Sequence, residues 1–264
     1  MSKKVIEVRN LVKKFGDFTA NDNLNFDVYE GEIFGFLGSN GAGKTTAIRI
    51  LSGLSAPTSG QALVAGFDAG TQAEQIKMNI GYMCQKFSLY EDLTVKENIT
   101  LYGGIYGLNR AQIIERKKIL LEKLHFSEHE NKLIADLPLG LKQKLAFSTA
   151  LLHEPKIIFL DEPTGGVDPI TRRQFWEMIY ETAARGTTIF VTTHYMDEAE
   201  YCDRVSIMNE GRIEALDTPE NLKKKYNANS IEEVFIKIAR PEKNMLLHGS
   251  ERQRVGTIST NLKD

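Results

Sequence analysis

The segment Gly38-Ser39-Asn40-Gly41-Ala42-Gly43-Lys44-Thr45-Thr46 combines spaced glycines with a lysine and three hydroxyls, in a G-x-x-x-x-G-K-T pattern. That combination suits a polyphosphate. Glycines let backbone N–H groups curl round phosphate oxygens at a helix N-terminus, Lys44 brings a cation to the outer phosphates, and the Thr45 hydroxyl can ligate Mg2+. The context is the one the pattern demands: the apolar run Ile33-Phe34-Gly35-Phe36-Leu37 precedes it and Ala47-Ile48-Arg49-Ile50-Leu51 follows. A chance glycine turn would lack these flanks.

A second chemical signal is the carboxylate pair Asp161-Glu162 behind the apolar Ile157-Ile158-Phe159-Leu160. At the end of a buried parallel strand such side chains diverge into the crevice where a sheet opens its ligand site. Asp161 is then placed to hold Mg2+, directly or through water, and Glu162 to polarise the water that attacks a terminal phosphate. Thr192-Thr193-His194 closes the next apolar run, Thr188-Ile189-Phe190-Val191, and brings an imidazole to the same edge. A hydrogen bond from it would strengthen as charge develops on the phosphate. Gln85 follows the short strand Ile80-Gly81-Tyr82-Met83, where it can sense phosphate on one side and a helical segment on the other.

The elements that must position these groups follow from hydrophobic period. Alternation in Val5-Ile6-Glu7-Val8 and in Leu24-Asn25-Phe26-Asp27-Val28 predicts antiparallel strands exposed on one face. The continuous apolar runs predict buried parallel strands. Between about Thr94 and Leu152 the spacing becomes helical, which predicts an inserted helical subdomain. A helix is expected near Thr171 to Ala184 and a short one around Leu222-Tyr226, with an apolar Val234-Phe235-Ile236 before a polar tail from Arg240 to Asp264. The expected fold is an α/β P-loop NTPase core with a mostly parallel sheet, an N-terminal antiparallel β subdomain and an inserted helical subdomain. In domain terms the expectation is an ATPase domain over residues 1–218, with the helical insert at about 86–155, and a C-terminal extension over 219–264 whose polar tail is open to partial disorder.

Composition narrows the function. The chain has 264 residues, and 33 basic against 35 acidic ones leave a formal charge of -2, so no positive field points to nucleic acid. Two cysteines, Cys84 and Cys202, are too few for a disulfide framework or a zinc site. No apolar run approaches the roughly 18 residues of a membrane span, and no signal-peptide pattern stands at the start, so membrane work falls to partners. One phosphate loop and no internal repeat mean that a two-ATPase machine is assembled from separate chains.

These residues, in this order from about Val5 to Leu216, resemble the nucleotide-binding subunits of ABC transporters. In the family's terms Gly38 to Thr46 is the Walker A loop, Gln85 the Q-loop glutamine, Ile157 to Glu162 the Walker B strand with its catalytic glutamate, and His194 the H-loop histidine. The resemblance implies ATP as ligand, with Mg2+ held by Thr45, Asp161 and Gln85. Gly165-Gly166-Val167-Asp168 is similar to the D-loop, which communicates across the family's dimer through an acidic residue, here Asp168. Phe15, in Lys14-Phe15-Gly16, falls where the family sets an aromatic ring against adenine; Phe18 nearby competes for that role. The signature motif, usually Leu-Ser-Gly-Gly-Gln, departs: Leu137-Pro138-Leu139-Gly140-Leu141 stands in its place. Pro138 has neither hydroxyl nor N–H, and Leu139 puts bulk where close approach is usual. Gly140 and the helix dipole survive, so the expectation is a weaker composite site and slow basal turnover.

Together with Phe87 to Thr94, the variant signature is similar to the bacterial multidrug-exporter branch with ABC-2-type permeases. The implied partners are transmembrane permease subunits and a second ATPase subunit, identical or homologous, at the cytoplasmic face of the cell membrane. A soluble ABC protein acting on ribosomes or nucleic acid is the rival reading; such proteins usually carry two cassettes or a long coiled-coil insert. A P-loop kinase or GTPase would leave Glu162, His194 and Gln85 without work.

Overall fold

Alternation at the start of the chain produces a long antiparallel hairpin of β1 (Lys4–Phe15) and β2 (Phe18–Tyr29), closed where Phe15 pairs with Phe18. The computed structural model describes residues 3–84 and 89–239. After the hairpin come β3 (Ile33–Gly38), α1 (Lys44–Leu51), β4 (Ser59–Val64), β5 (Phe67–Asp68), α2 (Ala73–Asn79) and β6 (Ile80–Met83). Helices α3 (Val95–Ile105), α4 (Arg110–Lys123) and α5 (Leu139–Ala150) lie between β6 and β7 (Ile157–Asp161). Then follow α6 (Pro169–Ala183), β8 (Thr188–Thr193), β9 (Arg204–Asn209), β10 (Arg212–Asp217), α7 (Pro219–Tyr226) and α8 (Ile231–Ala239).

Two sheets result. One is antiparallel, in the order β2-β1-β4-β5; the other is mostly parallel, β10-β9-β3-β8-β7-β6, with only the β9–β10 edge pair antiparallel. Every residue of β3, β7 and β8 is buried, as a parallel strand covered on both faces requires. Phe26 from the antiparallel sheet meets Phe34, Phe36 and Phe190 of the parallel one, with ring centroids 5.7, 5.6 and 6.3 Å away. This aromatic layer locks the two sheets together. The opposite face of the parallel sheet buries Phe147, Phe175, Trp176 and Ile179 under α5 and α6.

Helix starts carry their own signals. α3 and α4 open on reciprocal capping boxes, Thr94 with Glu97 and Asn109 with Gln112. α6 and α7 have Pro at the first helical position behind Asp168 and Thr218 caps. The apolar Val234-Phe235-Ile236 forms the middle of α8. Leu222, Ile231 and Val234 are buried in the same core as Trp176, so residues 219–239 pack onto the ATPase core. The tail from Arg240 onward lies outside the described residues.

Candidate functional site

Strand order places the chemistry. β3, β8 and β7 are neighbours and parallel, so the loop after β3, Thr193 at the end of β8 and Asp161 at the end of β7 open on one edge. Pairing continues to that edge, with Leu37 beside Thr193 and Asp161 beside Thr192.

The glycine-rich loop turns through positive φ at Gly41 and Gly43 before α1 begins. At Gly43, where φ is 101°, an added Cβ would lie 2.3 Å from the Ala20 carbonyl oxygen, so only glycine fits. Asn21, fully buried, donates from Nδ2 to the Gly43 carbonyl at 3.0 Å and ties the loop to β2. Lys44 Nζ donates to the Gly38 and Ser39 carbonyls at 2.8 and 3.1 Å and stands 3.6 Å from Glu162 Oε1. Burial pushes the Lys44 ammonium below the usual lysine range, while Glu162 and Asp161 act to hold it up.

Asp161 and Glu162 diverge as their position at a strand end requires. Asp161 Oδ1 accepts a 2.7 Å hydrogen bond from the Thr192 hydroxyl, and the Thr45 side chain also bonds the Asp161 carboxyl. Glu162 has φ of 50°, a left-handed conformation that costs a glutamate on the order of 1–3 kcal/mol. Its N–H donates to both the Thr192 carbonyl and the Thr192 hydroxyl, at 3.2 and 3.0 Å, and this holds the turn. The carboxylate then faces Lys44 on one side and His194 on the other, with Oε2 3.2 Å from His194 Nδ1.

Burial raises the Asp161 pKa above the usual carboxylate range, against the Thr192 hydrogen bond, which lowers it. A carboxyl raised in this way stabilises the fold below its unfolded pKa and loses that contribution as pH rises through the folded value. Above that folded value the ionised Asp161 therefore costs stability. Asp161→Asn keeps an acceptor for Thr192, and its ligand-free unfolding temperature is expected to rise by about 2–4 °C at pH 7.5, which is roughly 1 kcal/mol for a chain of this size. The gain should shrink as pH falls toward the carboxylate range, and the extra stabilisation by Mg2+ with ATP should be lost. Thermal unfolding with and without Mg2+-ATP across pH checks both. The donor set itself fits Mg2+: a hydroxyl and a carboxylate, hard oxygen ligands, in a site where two carboxylates face one ammonium.

Two cavities meet at Glu162. One, of about 410 Å³, is lined by Phe18, Ala20, Asn40, Gly41, Gly43, Lys44, Thr45, Thr46 and Glu162. The other, of about 290 Å³, is lined by Cys84, Leu139, Gln143, Gly165, Gly166, His194 and Tyr195 among others. Phe18, and not Phe15, is the ring that lines the phosphate-loop cavity. The reason is topological: β2 is the edge strand bordering the loop, and β1 lies one strand further away. Both rings are exposed, and Lys13 Nζ lies 5.2 Å from the Phe15 ring centroid.

Pro138 is the N-cap of α5, and its carbonyl accepts the N–H groups of Leu141 and Lys142, both at 3.0 Å. The helix start is thus regular but has no side-chain cap. A Cβ on Gly140 would lie 2.6 Å from Thr171 Cγ2, so this glycine lets α5 approach α6 within the chain itself. Asp168 caps α6, accepting from Ile170 and Thr171 N–H at 3.0 Å each and from the Thr171 hydroxyl at 2.6 Å; these bonds, the hydroxyl foremost, hold its carboxyl below the usual range. Gln85 and Lys86 to Ser88 lie outside the described residues. The sequence alone assigns no role of their own to Thr192 and Asn21, two side chains that tie down the strand-end turn and the loop. The available signal for Thr192 was its spacing two residues before His194, which puts both on one side of an extended chain.

Comparison with known proteins agrees with this geometry. Residues 21–165 match the sequence model of the ABC transporter family. The chain is 50% identical over 219 residues to the probable multidrug ABC transporter ATP-binding protein YbhF of Escherichia coli strain K12, covering 83% of this chain but 38% of that protein's length. It is 38% identical over 219 residues to the Nod factor export ATP-binding protein I of Cupriavidus metallidurans, covering 83% of this chain and 72% of that protein. A solved structure of an ATP-binding subunit of an ABC transporter superposes with a TM-score of 0.80 at 29% identity, over 89% of this chain and 99% of its own. A match over more than half the chain, a relative covered for most of its length and a shared fold lead to one conclusion: the chain belongs to the ABC transporter family, among its ATP-binding proteins.

Proposed function

We propose that this chain binds and hydrolyses ATP as the nucleotide-binding subunit of an ABC exporter. It would pair with a second ATPase subunit, identical or homologous, and with separate membrane-spanning permeases at the cytoplasmic face of the cell membrane. The observation that carries the reading is Glu162, held in a left-handed turn between Lys44 and His194 at the mouth of the glycine-rich loop. Loop N–H groups and Lys44 bind the phosphates of ATP, and Thr45 and Asp161 hold Mg2+, with Gln85 as the third expected ligand. When bound, Mg2+ neutralises charge on the terminal phosphates. Glu162 orients and deprotonates the attacking water, and His194 steadies the oxygens on which charge grows. Phe18, rather than Phe15, is the better placed ring for the base.

The second subunit would complete the site. Pro138 and Leu139 remove two of the donors usual in the family, while Gly140 and the open end of α5 remain, which supports a composite site of reduced strength. Asp168 at the start of α6 is the residue expected to face the partner. The ATPase domain spans 1–218 in this reading, the helical insert about 86–155 moves with the permease, and residues 219–264 form an extension. Among the described residues no helix is long and apolar enough to cross a membrane. Export follows from the relatives named for multidrug transport and Nod factor export.

The test is a pull-down of the tagged chain from detergent-solubilised native membranes, followed by ATPase assay. Recovery of a polytopic membrane protein that raises turnover, an effect lost in Lys44→Ala, supports the proposal. Recovery only on ribosomes or nucleic acid, with ATPase activity intact, would transfer the chain to the soluble branch of the family.

A further inference from the structure

Arg172, in the first turns of α6, touches both segments that meet at Glu162, and nothing in the chemistry above uses it. Its guanidinium carbon lies 4.1 Å from the centroid of the Tyr195 ring, and that ring packs on His194 with centroids 4.2 Å apart at 35°. On its other side, Arg172 Nε stands 3.6 Å from Glu198 Oε1. The same oxygen accepts a 2.6 Å hydrogen bond from Thr164, two residues beyond Glu162. Glu198 and Thr164 are buried, at 0% and 1% exposure. A carboxylate taken fully out of water needs a compensating charge, and among the described residues Arg172 is the cation within ion-pair distance of it. The pair with Asp197, at 3.4 Å, ends on an exposed carboxylate and adds little.

Arginine suits both tasks at once. Its planar, weakly hydrated guanidinium can lie on an aromatic face while its edge meets a buried carboxylate, which a lysine ammonium cannot do. We propose that Arg172 is a positioning residue for hydrolysis: stacked on Tyr195 it sets the His194 ring, and through Glu198 and Thr164 it sets the turn that carries Glu162. The 3.2 Å approach of His194 to Glu162 is the distance it maintains. This inference rests on the reading of Glu162 and His194 as groups acting at the terminal phosphate.

The experiment is steady-state ATPase kinetics on the full chain, using Tyr195→Leu, Tyr195→Phe, Arg172→Leu and His194→Ala, with Tyr195→Leu also combined with His194→Ala. Arg172→Leu strands a buried carboxylate and can unfold the protein, so Tyr195→Leu, which leaves the Arg172–Glu198 pair intact, carries the test. Misplacing a catalytic group costs rate without weakening ATP binding, so Tyr195→Leu should lower kcat about tenfold with KM for ATP within about twofold. Tyr195→Phe, which keeps the ring, should recover most of the turnover. On a His194→Ala background Tyr195→Leu should add less than about a twofold loss, because the group it positions is already gone. Unchanged turnover in Tyr195→Leu, or a loss that multiplies in full with that of His194→Ala, overturns the positioning role alone. Unchanged turnover in His194→Ala itself removes the reading of His194 on which the proposal stands.

Discussion

Glu162→Gln is expected to lower ATP turnover by roughly a hundredfold to ten-thousandfold, the range over which a positioned general base acts. The amide keeps the shape of the side chain and leaves Lys44, Thr45 and Asp161 in place, so nucleotide binding should persist. The backbone turn at Glu162 is held by N–H bonds to Thr192 that the substitution does not touch. Burial lowers the Lys44 pKa and Glu162 opposes that shift, so loss of the carboxylate weakens the hold on the Lys44 proton in the free protein. The phosphates of ATP restore a counter-charge when they bind. Binding without hydrolysis should prolong the ATP-bound pair of subunits, visible as an ATP-dependent dimer in size-exclusion chromatography. Phosphate release and nucleotide binding, measured on the same preparation, separate the two effects. Turnover within about twofold of the parent protein would take Glu162 out of the chemistry and return the search to other groups at that edge.

Phe190→Ala is expected to be strongly destabilising. Phe190 is fully buried on β8, and its ring lies 5.5 Å from Phe34, 5.2 Å from Phe36, 5.3 Å from Phe159 and 6.3 Å from Phe26. Removing the ring forfeits its transfer free energy and leaves a cavity that four aromatic neighbours cannot fill, which for Phe→Ala costs about 3–5 kcal/mol. The unfolding temperature should fall by roughly 10 °C. Because Phe26 comes from the antiparallel sheet, the cavity also loosens the contact that holds Asn21 against Gly43, so the affinity for ATP should fall with it. Phe190→Leu, which refills much of the space, should cost under about 1.5 kcal/mol. Calorimetry on both variants checks the ranking; equal effects would mean that the aromatic layer does not join the sheets.

Several features were written in consecutive residues and needed no tertiary information. The phosphate loop is one, because its glycines, lysine and threonine act as one local turn between a strand and a helix. The all-buried runs of β3, β7 and β8 are another, since a strand covered on both faces must be apolar at every position. Asp161 and Glu162 could be given different partners from the strand period alone, and the helix expected near Thr171 begins at Pro169 behind an Asp168 cap. What the sequence could not supply was adjacency. That β8 lies between β3 and β7 is a matter of long-range pairing, and it is this order that brings Lys44, Glu162 and His194 within reach of one another. The left-handed turn at Glu162 was invisible, because glutamate has no local preference for it and bonds from the distant Thr192 help to hold it there. Phe15 and Phe18 are equivalent by type and spacing, and that Phe18 lines the cavity at the loop follows from which strand forms the edge beside it. Local patterns determine the identity of each element because propensity and periodicity act over a few residues; which elements become neighbours depends on packing summed over the whole core, and only the tertiary structure decides that.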